Sequence, residues 1–158
     1  YTVEEKSNGK VLCSGKEAGA IVPGALIARG DYAKENPQNV AKFLAIYLRA
    51  WKWLNSNQTE AIAMMRKFYA QGGVNISEAS MRKEFSTRPT FDLAGQLRIM
   101  DRSKGSSDVD NWFTSMAGFM KTTGAVTDVP DAKAYITDEF MKMVNADKTL
   151  REFANKPN

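Results

Sequence analysis

The stretch NPQNVAKFLAIYLRAWKWL, from Asn36 to Leu54, constrains this chain more than any other. Asn36 can cap a helix, and Pro37 suits the first helical position, where a backbone N–H is not needed. Val40, Phe43, Leu44, Tyr47, Leu48, Trp51 and Leu54 then recur at spacings of three and four. That period predicts a helix of about five turns with those side chains facing a core. A stripe this long is stable only when other elements cover it, so the rest of the chain has to supply them.

The chain has 158 residues, enough for one domain with a sizeable core. With 43% apolar and 25% charged residues it reads as a folded globular protein, and no apolar run is long enough to span a bilayer. The net charge of +4 is spread along the chain without a Lys/Arg cluster, which argues against nucleic acid as a partner. A small positive surplus favours anionic ligands slightly, and solvated surface lysines account for it as readily. Cys13 stands alone, which excludes an intramolecular disulfide and a cysteine metal cluster. There is no histidine, so the commonest general base and the commonest metal ligand are both missing. The chain begins at Tyr1 with no legible targeting segment.

Extended structure is expected only at the start. KVLCSG (Lys10 to Gly15) and GALIARGDYA (Gly24 to Ala33) are short apolar runs bounded by Gly, Pro and charged residues, and they predict two strands, the second buried at Leu26 to Ala28. Two strands make a marginal sheet by themselves, as though sheet partners were missing. The remainder predicts helices. One runs from Thr59 to Ala70 with Ile62, Met65, Phe68 and Tyr69 inward, stopped by Gly72 or Gly73 in the left-handed conformation. The next starts at Ser77, carries Met81 and Phe85, and ends before Pro89. Asp92 caps a short helix holding Leu93, Leu97 and Met100. After the polar loop from Arg102, Asp108 is expected to cap a helix bearing Val109, Trp112, Phe113, Met116, Phe119 and Met120, closed by Gly124. Thr137 then caps a helix with Phe140, Met141 and Val144, and Ile136 is placed as a hydrophobic staple.

Two stretches resemble a known family: Gly24 to Met65, and WFTSMAGFMKTTGAVTDVPDAKAYITDEFM from Trp112 to Met141. They are similar to the substrate-binding proteins of ABC importers for nitrate, sulfonates and taurine, which are related to the pyrimidine-precursor synthases of thiamine biosynthesis. The resemblance implies an α-rich α+β chain equivalent to the C-terminal half of a two-lobed, type II periplasmic-binding-protein fold. Residues 1–33 would be the strand-containing segment that reaches the hinge, and 34–158 a helical, bundle-like portion. It further implies a periplasmic protein that captures a small anionic or zwitterionic solute and hands it to ABC permease subunits, with no cofactor and no covalent chemistry. A dimer through surface left by the absent half is also expected. Two alternatives stand beside this: an enzyme related to the thiamine-precursor synthases, weakened by the lack of histidine, and a stand-alone helical interaction module.

Candidate ligand contacts come from the non-helical bridge and from one tryptophan. Thr87, Arg88, Thr90 and Phe91 offer a guanidinium fork, two hydroxyls and an aromatic wall, the set a sulfonate or carboxylate needs; the same residues also make an ordinary turn with a solvent-facing arginine. Trp53 lies about 200° around the helix from Trp51, where it could meet a ligand or simply be a half-covered surface aromatic. The methionines sit on apolar helical faces as gap fillers, and Asp101, Asp108 and Asp110 lack the glycine and distal glutamate of a calcium loop, so no metal is expected.

Overall fold

The computed structural model describes residues 2–15 and 17–156; Tyr1 and Lys16 of the predicted 1–33 segment, and the last two residues, lie outside the described residues. The elements are α1 (Thr2–Ser7), α2 (Gly30–Glu35), α3 (Pro37–Ser56), α4 (Gln58–Gln71), α5 (Glu78–Thr87), α6 (Leu93–Ile99), α7 (Asp108–Thr122), a 3-10 turn (Ala132–Ala134), α8 (Glu139–Ala146) and α9 (Lys148–Asn155).

The described chain is all-helical, with no strand and no sheet. The expected α+β class, and with it a C-terminal half of a two-lobed periplasmic-binding-protein fold carrying N-terminal strands, is therefore overturned. A strand exists only where a neighbouring strand completes its ladder. Among the described residues, Ile21 to Ala28 find no backbone hydrogen-bond partner. Leu26 is exposed and Ile27 is 95% exposed, against the expected burial. The end of the expected strand turns helical instead: α2 starts at Gly30, and the Ala33 N–H donates to Arg29 O at 2.9 Å.

The core forms where α3 meets α8 and α9, which also pack on each other, and α6 closes one side. Ala41, Leu44, Ala45, Leu48, Leu93, Met141, Val144 and Ala154 are buried there, with Val40, Leu97, Met100, Phe140, Met143 and Leu150 packed around them. Pro37 opens α3 as expected, but the Asn36 side chain does not cap it; its amide donates to Tyr32 O at 3.3 Å. Asn57 ends the helix by donating from its backbone and side chain to Trp53 O, both at 2.9 Å.

The buried face of α3 is turned roughly a quarter-turn from the predicted stripe. Its centre is Ala41, Leu44, Ala45 and Leu48, while Val40, Tyr47, Trp51 and Leu54 are half-buried and Phe43 is 55% exposed. The cause is size. Methyl side chains at 41 and 45 let α8 and α9 approach the α3 backbone closely, and a stripe of large residues would hold them off. Lys52, on the same side, donates from Nζ to Asn155 O at the end of α9, a cation placed on otherwise unpaired carbonyls.

Smaller clusters follow the sequence closely. Ser77 caps α5 by accepting from the Ser80 N–H at 3.1 Å, and Met81 and Phe85 are buried against α4, where Ala61 and Ile62 are buried. Of the other inward predictions on α4, Met65 and Tyr69 are half-buried and Phe68 is exposed. Asp92 caps α6 through the Gly95 N–H at 2.8 Å. Gly73 and Gly124 have φ of +78° and +75°, the left-handed conformation expected of helix terminators. Two caps differ. Ser107, not Asp108, caps α7, in a capping box with Asp110. Asp138 occupies the cap position of α8 without a side-chain capping bond, although Thr137 Oγ1 accepts from the Glu139 N–H at 3.2 Å.

These contacts fix the sign of two substitutions. Ala45→Leu forces methylenes into the α3–α8–α9 contact and should destabilise by about 1–3 kcal/mol. Phe43→Ala removes a ring that is more than half exposed and stacks on Tyr47 of its own helix, and should change stability by less than the Ala45 substitution, about 0.5 kcal/mol. Urea unfolding of both variants checks the register: a larger loss for Phe43→Ala would return α3 to its predicted orientation.

Candidate functional site

The bridge between α5 and α6 follows from Pro89. The residue before proline avoids helical dihedrals, and Arg88, at φ −81° and ψ 112°, takes the extended conformation that ends α5. The Thr87 hydroxyl turns back to Lys83 O at 2.8 Å and Glu84 O at 3.2 Å. The Arg88 guanidinium forms a charge-assisted pair with Glu84 one turn earlier. Thr90 Oγ1 accepts from Asn55 Nδ2 at 3.0 Å, which ties the bridge to the last turn of α3. Phe91 is half-buried beside Gly95, where a Cβ would lie 3.2 Å from the Phe91 Cβ.

Three of the five sequence-predicted site residues, Arg88, Thr90 and Phe91, thus lie on the bridge, and Thr87 closes α5 just before it, a correction to its expected non-helical place; Asn55, which the sequence did not single out, bonds Thr90. Trp53 lies apart from them. It lines a shallow hollow of about 400 Å³ with Ile46, Arg49, Ala50, Leu54 and Phe153, and none of the bridge residues takes part. Arg49 lies over the Phe153 ring, 4.5 Å from its centre. Arg49, Ala50 and Phe153 also went unflagged, because α9 was not predicted and small or charged residues do not announce an apolar wall.

A second shallow hollow of about 460 Å³ is lined by Glu5, Arg66, Lys67, Ala70, Asn75, Ile76 and Ser77. It looks cationic, but it is already answered from within. The Ser77 N–H donates to the Glu5 carboxylate at 3.1 Å, and Arg66 Nε donates to Ile76 O at 3.0 Å. The Ser80 hydroxyl, with Ser77, holds the Glu5 carboxyl below its ordinary value.

The strongest electrostatic feature belongs to α7. Asp110 is only 2% exposed, and Arg102 grips it with two parallel bonds, Nε to Oδ2 at 2.8 Å and Nη2 to Oδ1 at 2.7 Å. The same Nη2 donates to Ile136 O at 3.0 Å, and the Ser107 N–H donates to Asp110 Oδ2 at 2.9 Å. Arg102 holds the Asp110 carboxyl far below the usual carboxylate range; burial opposes this, and Ser107 adds to the lowering. No group of three acidic or cysteine ligands that could hold a metal occurs among the described residues. Asp110 is therefore a bonded support for the 101–107 loop and the start of α8, not a free acid or base.

A carboxyl depressed on folding adds stability above the unfolded pKa of about 3.9 and loses it as pH falls toward the folded value. Unfolding free energy should therefore fall on acidification below about pH 4. Asp110→Asn should lower stability at neutral pH by about 3 kcal/mol, because it leaves Arg102 without its counter-charge, and should flatten the acid slope. Other depressed carboxyls, such as Glu17, Asp31 and Asp101, lie at the surface, so the difference between wild type and variant isolates Asp110. Denaturant titrations across the acid range read it out, and parallel acid slopes would deny Asp110 this role.

Comparison of the chain with protein-family models, with curated proteins and with solved structures returns no match.

Proposed function

We propose that this chain serves in the solute-binding component of an ABC import system. It would capture a small anionic or zwitterionic solute such as nitrate, a sulfonate or taurine in the periplasm for delivery to the membrane permease, without covalent chemistry. The observation that supports the reading is the Asn55–Thr90 bond, which ties the end of α3 to the bridge that carries the Arg88 fork. The likeness of Gly24 to Met65 and of Trp112 to Met141 to such proteins points the same way. A guanidinium fork with an amide and a hydroxyl in the same stretch suits a planar or tetrahedral oxyanion, and Phe91 on the bridge suits a short apolar tail.

Two features set the expected strength. Arg88 already pairs with Glu84, so an incoming anion has to displace a carboxylate. Arg88 and Asn55 are also exposed, so a solute bound there stays largely hydrated. Affinity should sit near the millimolar level, about −4 kcal/mol. Calorimetry with taurine, methanesulfonate and nitrate tests this. Arg88→Ala should weaken binding about tenfold or more, and Glu84→Gln should strengthen it by releasing the guanidinium. Solute binding that is indifferent to both substitutions, or no binding of any of the three solutes, would overturn the proposal.

A further inference from the structure

Helix α1 meets the body of the molecule through two carboxylates. Glu4 Oε2 lies 3.0 Å from Lys83 Nζ on α5, and the Glu5 carboxylate accepts from the Ser77 N–H at 3.1 and 3.3 Å. Ser77 caps α5, where free N–H groups and the helix dipole favour a negative charge. Apolar burial contributes little to this contact. Val3 is 66% exposed, and most of residues 8–29, which link α1 to α2, is exposed as well. A helix of six residues does not persist by itself in water, so α1 depends on being docked. Glu5 also lines the hollow of about 460 Å³, with Arg66 and Lys67 of α4 and with Ser77.

We propose that α1 is a detachable strap: Glu4 and Glu5 hold it against α5 at neutral pH, and protonation of Glu5 lets it unwind and uncover the Ser77 end of the hollow. The groups that face Glu5 are Ser77 and Ser80 of α5, Arg66 and Lys67 of α4, and Lys6 of α1 itself; Glu4 faces Lys83. Of these only the two glutamates titrate in the acid range. The Ser80 hydroxyl, with Ser77, holds the Glu5 carboxyl below its ordinary value. The strap is therefore complete above the ordinary glutamate range and is lost as pH falls through the lower folded value. An exposed ion pair adds little by itself, so Glu4 and Lys83 steady the strap without locking it. Segments with so little apolar burial open separately from the core. The inference does not depend on solute binding, which is placed at the bridge.

Amide NMR of the full chain tests this. On acidification the Ser77 resonance and the helical shifts of residues 4–7 should change together, while Leu44 and Leu48 of the core keep theirs. Glu4→Gln with Glu5→Ala should abolish the helical shifts of α1 at neutral pH and speed exchange of the Ser77 amide about tenfold or more. Lys83→Glu should loosen α1, and Glu4→Lys added to it should restore the helical shifts, which keeps the test decisive if the first double variant fails to fold. Helical shifts in α1 that survive Glu4→Gln with Glu5→Ala, or unchanged Ser77 exchange, would overturn the proposal. So would loss of α1 only together with Leu44 and Leu48.

Discussion

Close approach of α3 to α8 and α9 at Ala41 and Ala45 is the contact on which the rest of the fold depends. Both alanines are completely buried, and the larger core side chains, Leu44, Leu48, Met141 and Val144, fill the space around that contact. Once α3 is seated in this way its opposite side is fixed too, and the apolar residues there are left facing outward. A helix with one apolar face is satisfied by a single core; α3 has two and satisfies only one within the described chain.

The Arg102–Asp110 pair holds a different part of the molecule. Helix α7 packs chiefly on the 3-10 turn, where Phe113 and Tyr135 meet edge to face with ring centres 6.1 Å apart. Arg102 joins that unit to the chain entering α8 by bonding Asp110 and Ile136 O at once. Replacing the pair by apolar residues of similar size need not weaken the fold, whereas removing one member strands a charge in a nearly closed site. The pair specifies position as much as it supplies stability.

The helices from α3 to α8 were legible because several of their boundaries are written in caps and stops: Ser77, Asp92, Pro89, Gly73 and Gly124 all act as their residue types suggest. The orientation of α3 was not, because a periodicity argument weights Phe43 and Trp51 by size, and the contact that decided the matter rests on two methyl groups. A strand was expected from Gly24 to Ala33 because a short apolar run there is bounded by Pro23 and by charged residues, yet a strand is a property of two segments and its sequence shows only one. Helix α9 was missed because Phe153 and Ala154 gain apolar meaning only from the α3 surface they cover. At the candidate site, Thr87 to Phe91 could be chosen from chemistry alone. Glu84, one turn before Arg88, was open to a helical-spacing reading and was not singled out; Asn55 could not be found, since a hydrogen bond across 35 residues leaves no local trace.

The pairing of α3 with α9 also carries a consequence for synthesis. Lys52 and Asn155, joined by one hydrogen bond, are 103 residues apart in sequence. A chain leaving the ribosome presents α3 long before α8 and α9 exist, and the loop between them closes only after α9 has emerged. Until then Leu44 and Leu48 lack the cover of α8 and α9, and Phe43 and Ile46 are exposed as well, so the nascent chain carries the main apolar face of its 20-residue helix open. Local helices such as α4 and α5, neighbours in sequence, can pair early; the central core waits for α8 and α9.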